Sequence, residues 1–260
     1  MWTTFTNKVR QAFSDAADQY DILTSLHKEI GRELVKKNMR LDASRILDVG
    51  CGTGYVANKA KFFFPESVII GLDLAEGMLV KAAQAHEGIA IDWIQCDAQV
   101  LPFKTASFDL ILSNLAYQWV TDLPQAFQDA HRVLSVPGTL AITLFGFHTC
   151  EELFASLIQC APAQSEVFRR LPTVEEVQKA LMDAGFKDVQ VDYELIKVQF
   201  KDVMELLGWL KNIGANVLSG DVFLGKQMLG KINDHYRQNF PYGTGIGASF
   251  EVIWAKAGKS

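Results

Sequence analysis

Three acids stand at or near the ends of short apolar runs: Asp48 in "RILDVG", Asp73 in "SVIIGLD" and Asp97 in "IAIDWIQCD". The first is followed at once by Gly50, Gly52 and Gly54, alternating in "DVGCGTG". Glycine lets a ligand approach the backbone because no Cβ intervenes. A turn leading into a helix also points N–H groups outward, where the helix N-terminus adds partial positive charge. A plain strand-to-helix turn needs fewer glycines, so the spacing predicts a turn built for a polar or anionic ligand. Asp73 falls 19 residues after Gly54, where an acid accepts from a ribose diol in dinucleotide folds; it can also cap a helix. Asp97, with the backbone of Ala98, suits the exocyclic amine of an adenine or serves as a simple turn acid. "SNLAYQWV" adds Asn114, Tyr117, Gln118 and Trp119, read either as a pocket floor or, for the two aromatics, as core.

The dinucleotide fingerprint G-x-G-x-x-G fits poorly, because its third glycine falls on Tyr55. That spacing disfavours a nicotinamide dehydrogenase. No Ser-His-Asp, paired-acid or metal-ligand spacing is visible. His27, His86, His131, His148 and His235 are isolated and are read as surface or structural. The four cysteines, Cys51, Cys96, Cys150 and Cys160, form no C-x-x-C pair and suit a reducing compartment.

The elements that must position these residues alternate. Apolar runs at 44–50, 67–73, 89–97, 107–114 and 139–145 read as buried strands. Helical patterns lie at 55–64, 75–85 and 123–134, the last closed by "SVPG". Strand, helix, strand repeated implies parallel strands with helices on both faces. Residues 5–37 read as helical with a break near Asp18 to Asp21. Helices are expected at 149–161 and 173–186, with Thr173 and Glu176 forming a capping box. A long strand at 187–200 and a terminal one at 248–257 flank two helices over 201–240, broken near Gly214 to Gly220. No Pro- or Ser-rich linker appears, so one domain over 1–260 is expected: a helical lid (1–40), a ligand-binding core (41–146), and a C-terminal part (147–260) whose insertion at about 201–240 serves the substrate.

At 260 residues the chain can bury a core without disulfides or metals. Its formal net charge of −5 argues against a general nucleic-acid binder. No apolar run approaches the roughly 20 residues of a membrane span and no signal peptide pattern opens the chain, so a cytoplasmic protein is expected.

Taken together, "ILDVGCGTG", "IGLDLAEGML", "CDAQVLPF", "SFDLILSNLAYQW" and "HRVLSVPGTLAIT", covering about residues 44–145, resemble the class I S-adenosylmethionine-dependent methyltransferases. The resemblance implies an α/β, Rossmann-like, seven-stranded, mostly parallel sheet whose last strand is antiparallel. It implies S-adenosylmethionine as cofactor, held by Asp48, Gly50, Cys51, Gly52, Gly54, Asp73, Leu74, Met78, Asp97, Ala98, Asn114 and Leu115. Asp48 would face the amino group, Asp73 the ribose hydroxyls and Met78 the adenine; Asn114 would lie beside the sulfonium.

"VRQAFSDAADQYD", "SNLAYQWV" and "LGWLKNIGAN" extend the likeness to the malonyl-acyl-carrier-protein O-methyltransferases of biotin synthesis. "WLKNIGAN" discriminates best, though it also reads as an amphipathic helix. This narrower resemblance implies esterification of the free carboxylate of a malonyl thioester on acyl carrier protein. A carboxylate, with a pKa of about 4, is ionised at neutral pH and needs no base; alignment and exclusion of water suffice. Tyr20 and Gln118 are the expected catalytic residues. Arg169, Arg170 and Lys211 are candidates for the substrate carboxylate, and with Lys197 and Lys201 for the carrier protein. A monomer with no metal, nucleic-acid or membrane partner is expected. Two alternatives stay open: a methyltransferase for another small acid or quinone-like metabolite, and a repurposed, non-catalytic member of the fold.

Overall fold

In the computed structural model, residues 2–162, 169–215 and 225–260 are described. The chain opens with α1 (Thr4–Leu23) and α2 (Ser25–Asn38). There follow β1 (Arg45–Val49), α3 (Tyr55–Phe63), β2 (Val68–Asp73), α4 (Glu76–Ala85), β3 (Ile91–Gln95) and β4 (Phe108–Asn114). A 3-10 turn at Tyr117–Trp119 leads to α5 (Leu123–Val133), β5 (Leu134–Phe145) and α6 (Glu151–Cys160). The chain ends with α7 (Val174–Asp183), β6 (Lys187–Phe200), α8 (Val203–Asn212), α9 (Lys226–Asn239), β7 (Pro241–Tyr242) and β8 (Gly245–Lys259).

These strands form one sheet in the order β3-β2-β1-β4-β5-β8-β6, with the two-residue β7 paired to β8. The strands β1 to β5 pair in parallel, and β8 runs antiparallel between β5 and β6. The expected seven-stranded architecture is thus present, with one short strand added. The chain winds outward from β1 to β3, then returns to place β4 on the other side of β1. The carboxyl ends of β1 and β4 therefore flank a switch point, where open α/β sheets form a crevice.

Alternation along β1 explains the layers. Leu47 and Val49 join Phe127 of α5 and Leu181 of α7 on one face. Ile46 joins Val35 of α2 and Val56 and Ala57 of α3 on the other. Both faces are covered, so the strands carry no polar alternation. Burying a side chain such as Leu47 or Phe127 contributes roughly 1.5–3 kcal/mol. Asp48 shares the face of Ile46, which places a carboxylate among apolar neighbours.

Two local expectations are corrected. The break in the N-terminal helices is at Thr24, whose hydroxyl donates to the Tyr20 carbonyl at 2.6 Å, and not at Asp18 to Asp21. Those acids are within α1, where Asp18 pairs with Lys81 at 2.6 Å and Asp21 with Lys28 at 3.0 Å. "SVPG" is extended within β5 and does not form a turn, because Leu134 pairs with Phe108 and Gly138 with Lys259. The capping box at Thr173 and Glu176 is present. The expected break at Gly214 to Gly220 lies mostly outside the described residues, as does Asn216 of "WLKNIGAN".

Helix α1 lies across the carboxyl ends of the strands on two glycine ledges. A Cβ on Gly77 of α4 would come within 2.7 Å of the Ser14 carbonyl oxygen, and one on Gly214 within 3.2 Å of Phe13. Trp209 of α8 donates its indole N–H to the Leu23 carbonyl at 2.8 Å, tying the insertion to the α1–α2 corner.

Candidate functional site

Beneath α1, the ends of β1 to β4 enclose a cleft of about 100 Å³ and an adjoining pocket of about 40 Å³. Gly50, Gly52, Leu74, Met78, Asp97 and Ala98 line the cleft with Asp73, Asn114 and Leu115. Asp48, Cys51 and Thr53 line the pocket, which shares Gly50, Gly52, Asn114 and Tyr20 with the cleft. Residues drawn from four strand ends are therefore gathered in one place.

The glycine turn does not act as an anion nest. Its N–H groups are consumed within the protein: Gly50 and Cys51 both donate to the Leu72 carbonyl, at 2.7 and 2.9 Å, and Gly54 donates to the Cys51 carbonyl. Gly52 donates to Asp73 Oδ2 at 2.8 Å. The turn instead supplies space. A Cβ on Gly50 would lie 2.1 Å from that of Ala116, whereas one on Gly52 would meet only the Tyr20 ring, at 3.9 Å. Gly54 lies outside both cavities; its glycine requirement comes from the Trp93 and His86 rings at 2.6 and 2.7 Å from its absent Cβ.

With the N–H groups of Gly50, Cys51, Gly52 and Gly54 engaged in this way, the glycines offer little to a phosphate. The turn offers much to a cation, because Asp48 is 1 % exposed and neither of its oxygens has a hydrogen-bond partner. Burial pushes the Asp48 carboxyl up to about 8, the charge of Asp73 adds to the rise, and the Ala57 N–H opposes it from outside good hydrogen-bond geometry. A buried carboxyl without a partner is costly, and an incoming ammonium would relieve that cost. Burial likewise raises the Cys51 thiol, which keeps it protonated and unreactive.

Asp73 accepts from Ala75 N–H at 2.8 Å through Oδ1, in addition to Gly52. Burial raises its carboxyl and the Ala75, Gly52 and Leu74 N–H groups oppose the rise. Asp97 accepts from the Gln99 N–H at 3.0 Å, so it is a turn acid that also faces the cleft. Met78 is buried in the cleft wall.

Asn114 is committed at both ends of its amide. Nδ2 donates to the His27 carbonyl at 3.0 Å and Oδ1 accepts from the Thr143 hydroxyl at 2.8 Å. It pins α2 and β5 to the end of β4 and contributes a fixed wall. Leu115 follows at φ 54°, a left-handed conformation uncommon outside glycine, held by its N–H bond to the Thr143 carbonyl at 2.9 Å.

A larger cavity of about 550 Å³ adjoins the cleft and shares Phe13, Tyr20, Leu115 and Trp119 with it. Phe145, Leu153, Trp209 and Phe250 make its walls apolar; Gln118 and His27 are polar groups in it, and Arg169, Arg170 and Lys211 also line it. Gln118 is 4 % exposed and its Oε1 has no partner. Arg169 donates to the Val120 carbonyl and lies over the Phe5 ring at 4.3 Å; burial lowers its pKa. Arg170 pairs with Glu176 at 3.1 Å, and Lys211 is exposed. Lys197 lies outside this cavity, paired with buried Glu152 at 3.3 Å. Tyr20 borders all three spaces; burial, then Asp73 and Asp21, hold its hydroxyl well above the usual tyrosine range.

Sequence reasoning missed Thr143, whose partner is 29 residues away, and set His27 aside. No local spacing signals it: Tyr20 and His27 lie on different helices, α1 and α2, and their rings meet at 6.0 Å across the corner at Thr24.

Among known proteins, the methyltransferase domain family matches residues 47–142. A malonyl-[acyl-carrier protein] O-methyltransferase of Geobacter sulfurreducens is 33% identical over 258 residues, covering 95% of this chain and 96% of its own. The fold matches the YcgJ protein of Bacillus subtilis with a TM-score of 0.63 at 21% identity, over 88% of this chain and 97% of that one. It also matches a Haemonchus contortus phosphoethanolamine N-methyltransferase solved with S-adenosylhomocysteine, with a TM-score of 0.57 at 20% identity, over 88% of this chain and 52% of that one. With a curated relative at this identity aligned over nearly its whole length, the chain belongs to the class I S-adenosylmethionine-dependent methyltransferases.

Proposed function

We propose that this protein methylates the free carboxylate of a malonyl thioester carried by acyl carrier protein, as a cytoplasmic monomer in the supply of the biotin precursor. The observation that carries this reading is the apolar cavity of about 550 Å³ opening beside the cofactor cleft. It suits a thioester arm, and the family relatives name a malonyl-carrier protein.

The residues fit the cofactor. The orphaned Asp48 suits its amino group, Asp73 its ribose diol, and Met78, Asp97 and Ala98 its adenine. When bound there, S-adenosylmethionine would supply an electrophilic methyl group with its own leaving group, the sulfide, to an acceptor oxygen. No proton need move, because the acceptor is already ionised. Tyr20, shared by both spaces, bounds the path between acceptor and donor, and Gln118 faces the acceptor side; their task is alignment. The α1 and α8 side chains keep water out. Small-molecule sites span roughly 300–1,000 Å³, so the cleft of about 100 Å³ must widen for a nucleoside.

Labelled methyl transfer to a panel of acceptors tests the reading. Malonyl-carrier protein is expected to be methylated, and free aconitate or quinone precursors hardly at all; the reverse order would replace the acceptor with a small acid.

A second outcome concerns protons. The Asp48 carboxyl, raised from 3.8 to about 8, is protonated at neutral pH in the unliganded protein. Its folded pKa exceeds the unfolded one, so this group subtracts stability as pH rises from about 4 to about 8. A cationic amino group beside it restores ordinary ionisation, so binding S-adenosylhomocysteine at pH 7 releases up to about one proton, and affinity rises toward pH 8. Calorimetry in buffers of different ionisation heat measures the release, which disappears in Asp48→Asn. Equal heats in all buffers for the parent protein would refute it.

A further inference from the structure

His27 is the polar side chain in the acceptor cavity for which neither the fold nor the cofactor provides a use. The residue lines both the large cavity and the pocket around Asp48. Three aromatic rings fix it in place: Tyr20 at 6.0 Å, Phe145 at 5.6 Å and Trp209 at 6.1 Å between centroids. Asn114 holds the His27 carbonyl at 3.0 Å, so the residue cannot drift from the end of β4. Of its two ring nitrogens, only Nδ1 is sealed in without a partner. Packing alone would be served better by phenylalanine, since burying an unpartnered polar nitrogen costs free energy.

We propose that His27 is the residue that receives the acceptor carboxylate, through a hydrogen bond donated at the junction of the two cavities. This rests on the carboxylate-methylating reading above. Leaving a lone pair unpaired on Nδ1 is less costly than burying an N–H without an acceptor, so the proton belongs on Nε2, the nitrogen left for a ligand. Burial pushes the ring down to about 4, which keeps it neutral. Neutrality suits the reaction. The acceptor's negative charge is lost as the ester forms, so a full cation on it would stabilise the ground state more than the transition state. Two of the expected cations are engaged elsewhere: Arg169 on the Val120 carbonyl and the Phe5 ring, Arg170 on Glu176 and the Phe147 ring; Lys211 also lines the cavity but is solvent-exposed, where a hydrated ammonium is a weaker anchor.

The test compares His27→Phe and His27→Gln with the parent protein. Steady-state kinetics use malonyl-carrier protein. Calorimetry follows malonyl- and acetyl-carrier protein binding to the protein saturated with S-adenosylhomocysteine. A hydrogen bond to a charged group predicts a loss of roughly 10- to 100-fold in kcat/KM and in malonyl-carrier affinity for His27→Phe. Acetyl-carrier affinity and S-adenosylhomocysteine affinity should stay within roughly twofold of the parent, and His27→Gln, which keeps a donor, should recover most of the loss. Parent-like kinetics in His27→Phe, or equal losses for malonyl- and acetyl-carrier protein, would overturn the assignment; so would a parallel loss of S-adenosylhomocysteine affinity. A parent protein that leaves malonyl-carrier protein unmethylated overturns the acceptor reading and this one with it. A parent that methylates it beside an unimpaired His27→Phe overturns this one alone.

Discussion

Asp73→Ala is expected to weaken S-adenosylhomocysteine binding by at least roughly 100-fold, since hydrogen bonds donated by a diol to a carboxylate are worth about 1.5–3 kcal/mol each. Calorimetric titration reads this directly, and an unchanged dissociation constant would remove Asp73 from the ribose site. The same carboxylate also accepts from Gly52 and Ala75, both at 2.8 Å. Removing it leaves two N–H groups unpaired, costing roughly 1–3 kcal/mol apiece. A binding loss with a moderate fall in melting temperature is therefore the expected pair of results. Asp73→Asn separates the two contributions, because its amide oxygen still accepts one N–H while its charge is gone.

The second large effect belongs to Gly50→Ala. Its φ is +70° and the new Cβ would lie 2.1 Å from the Ala116 Cβ. Left-handed strain costs about 1–2 kcal/mol and overpacking typically about 1–3 kcal/mol more. For a chain of this size that sum lowers the melting temperature by roughly 5–15 °C. Gly88→Ala is the control: its φ is +79° with nothing within 4 Å, so it carries the strain without the overlap. Scanning calorimetry of the two variants isolates the overlap as their difference. Equal shifts would mean that the 115–116 segment yields freely, against the hydrogen bonds that hold Leu115 and Asn114.

Much of the core was legible because its signals are local. The buried runs ending in Asp73 and Asn114 end where their strands end and the run around Asp48 ends one residue beyond Val49, and the bounds 187–200 match β6 (Lys187–Phe200). The Thr173 capping box needs only residues three apart. Less legible was anything decided by a distant partner. The helix break falls at Thr24, whose hydroxyl donates to the Tyr20 carbonyl, while Asp18 within α1 is paired to Lys81 on α4. "SVPG" became strand because β4 and β8 run beside it. Gly54 is glycine for Trp93 and His86, which return to it from α4 and β3.

By itself the sequence determined the sheet, the gathering of Asp48, Asp73, Asp97 and Asn114 at one edge, and the methyl donor. Residue type and period specify strands and turns, and the connection rule brings parallel strand ends to the same side. Tertiary structure alone decided how those groups are used. The N–H groups of Gly50, Cys51, Gly52 and Gly54 are spent on Leu72, Asp73 and Cys51, so the glycines provide room and not charge. Asp48 is left unpaired, Asn114 is locked to α2 and β5, and His27 is set between two cavities. Each of these depends on which atoms meet across tens of residues, and hydrogen-bond satisfaction and burial belong to that meeting, not to the local chain.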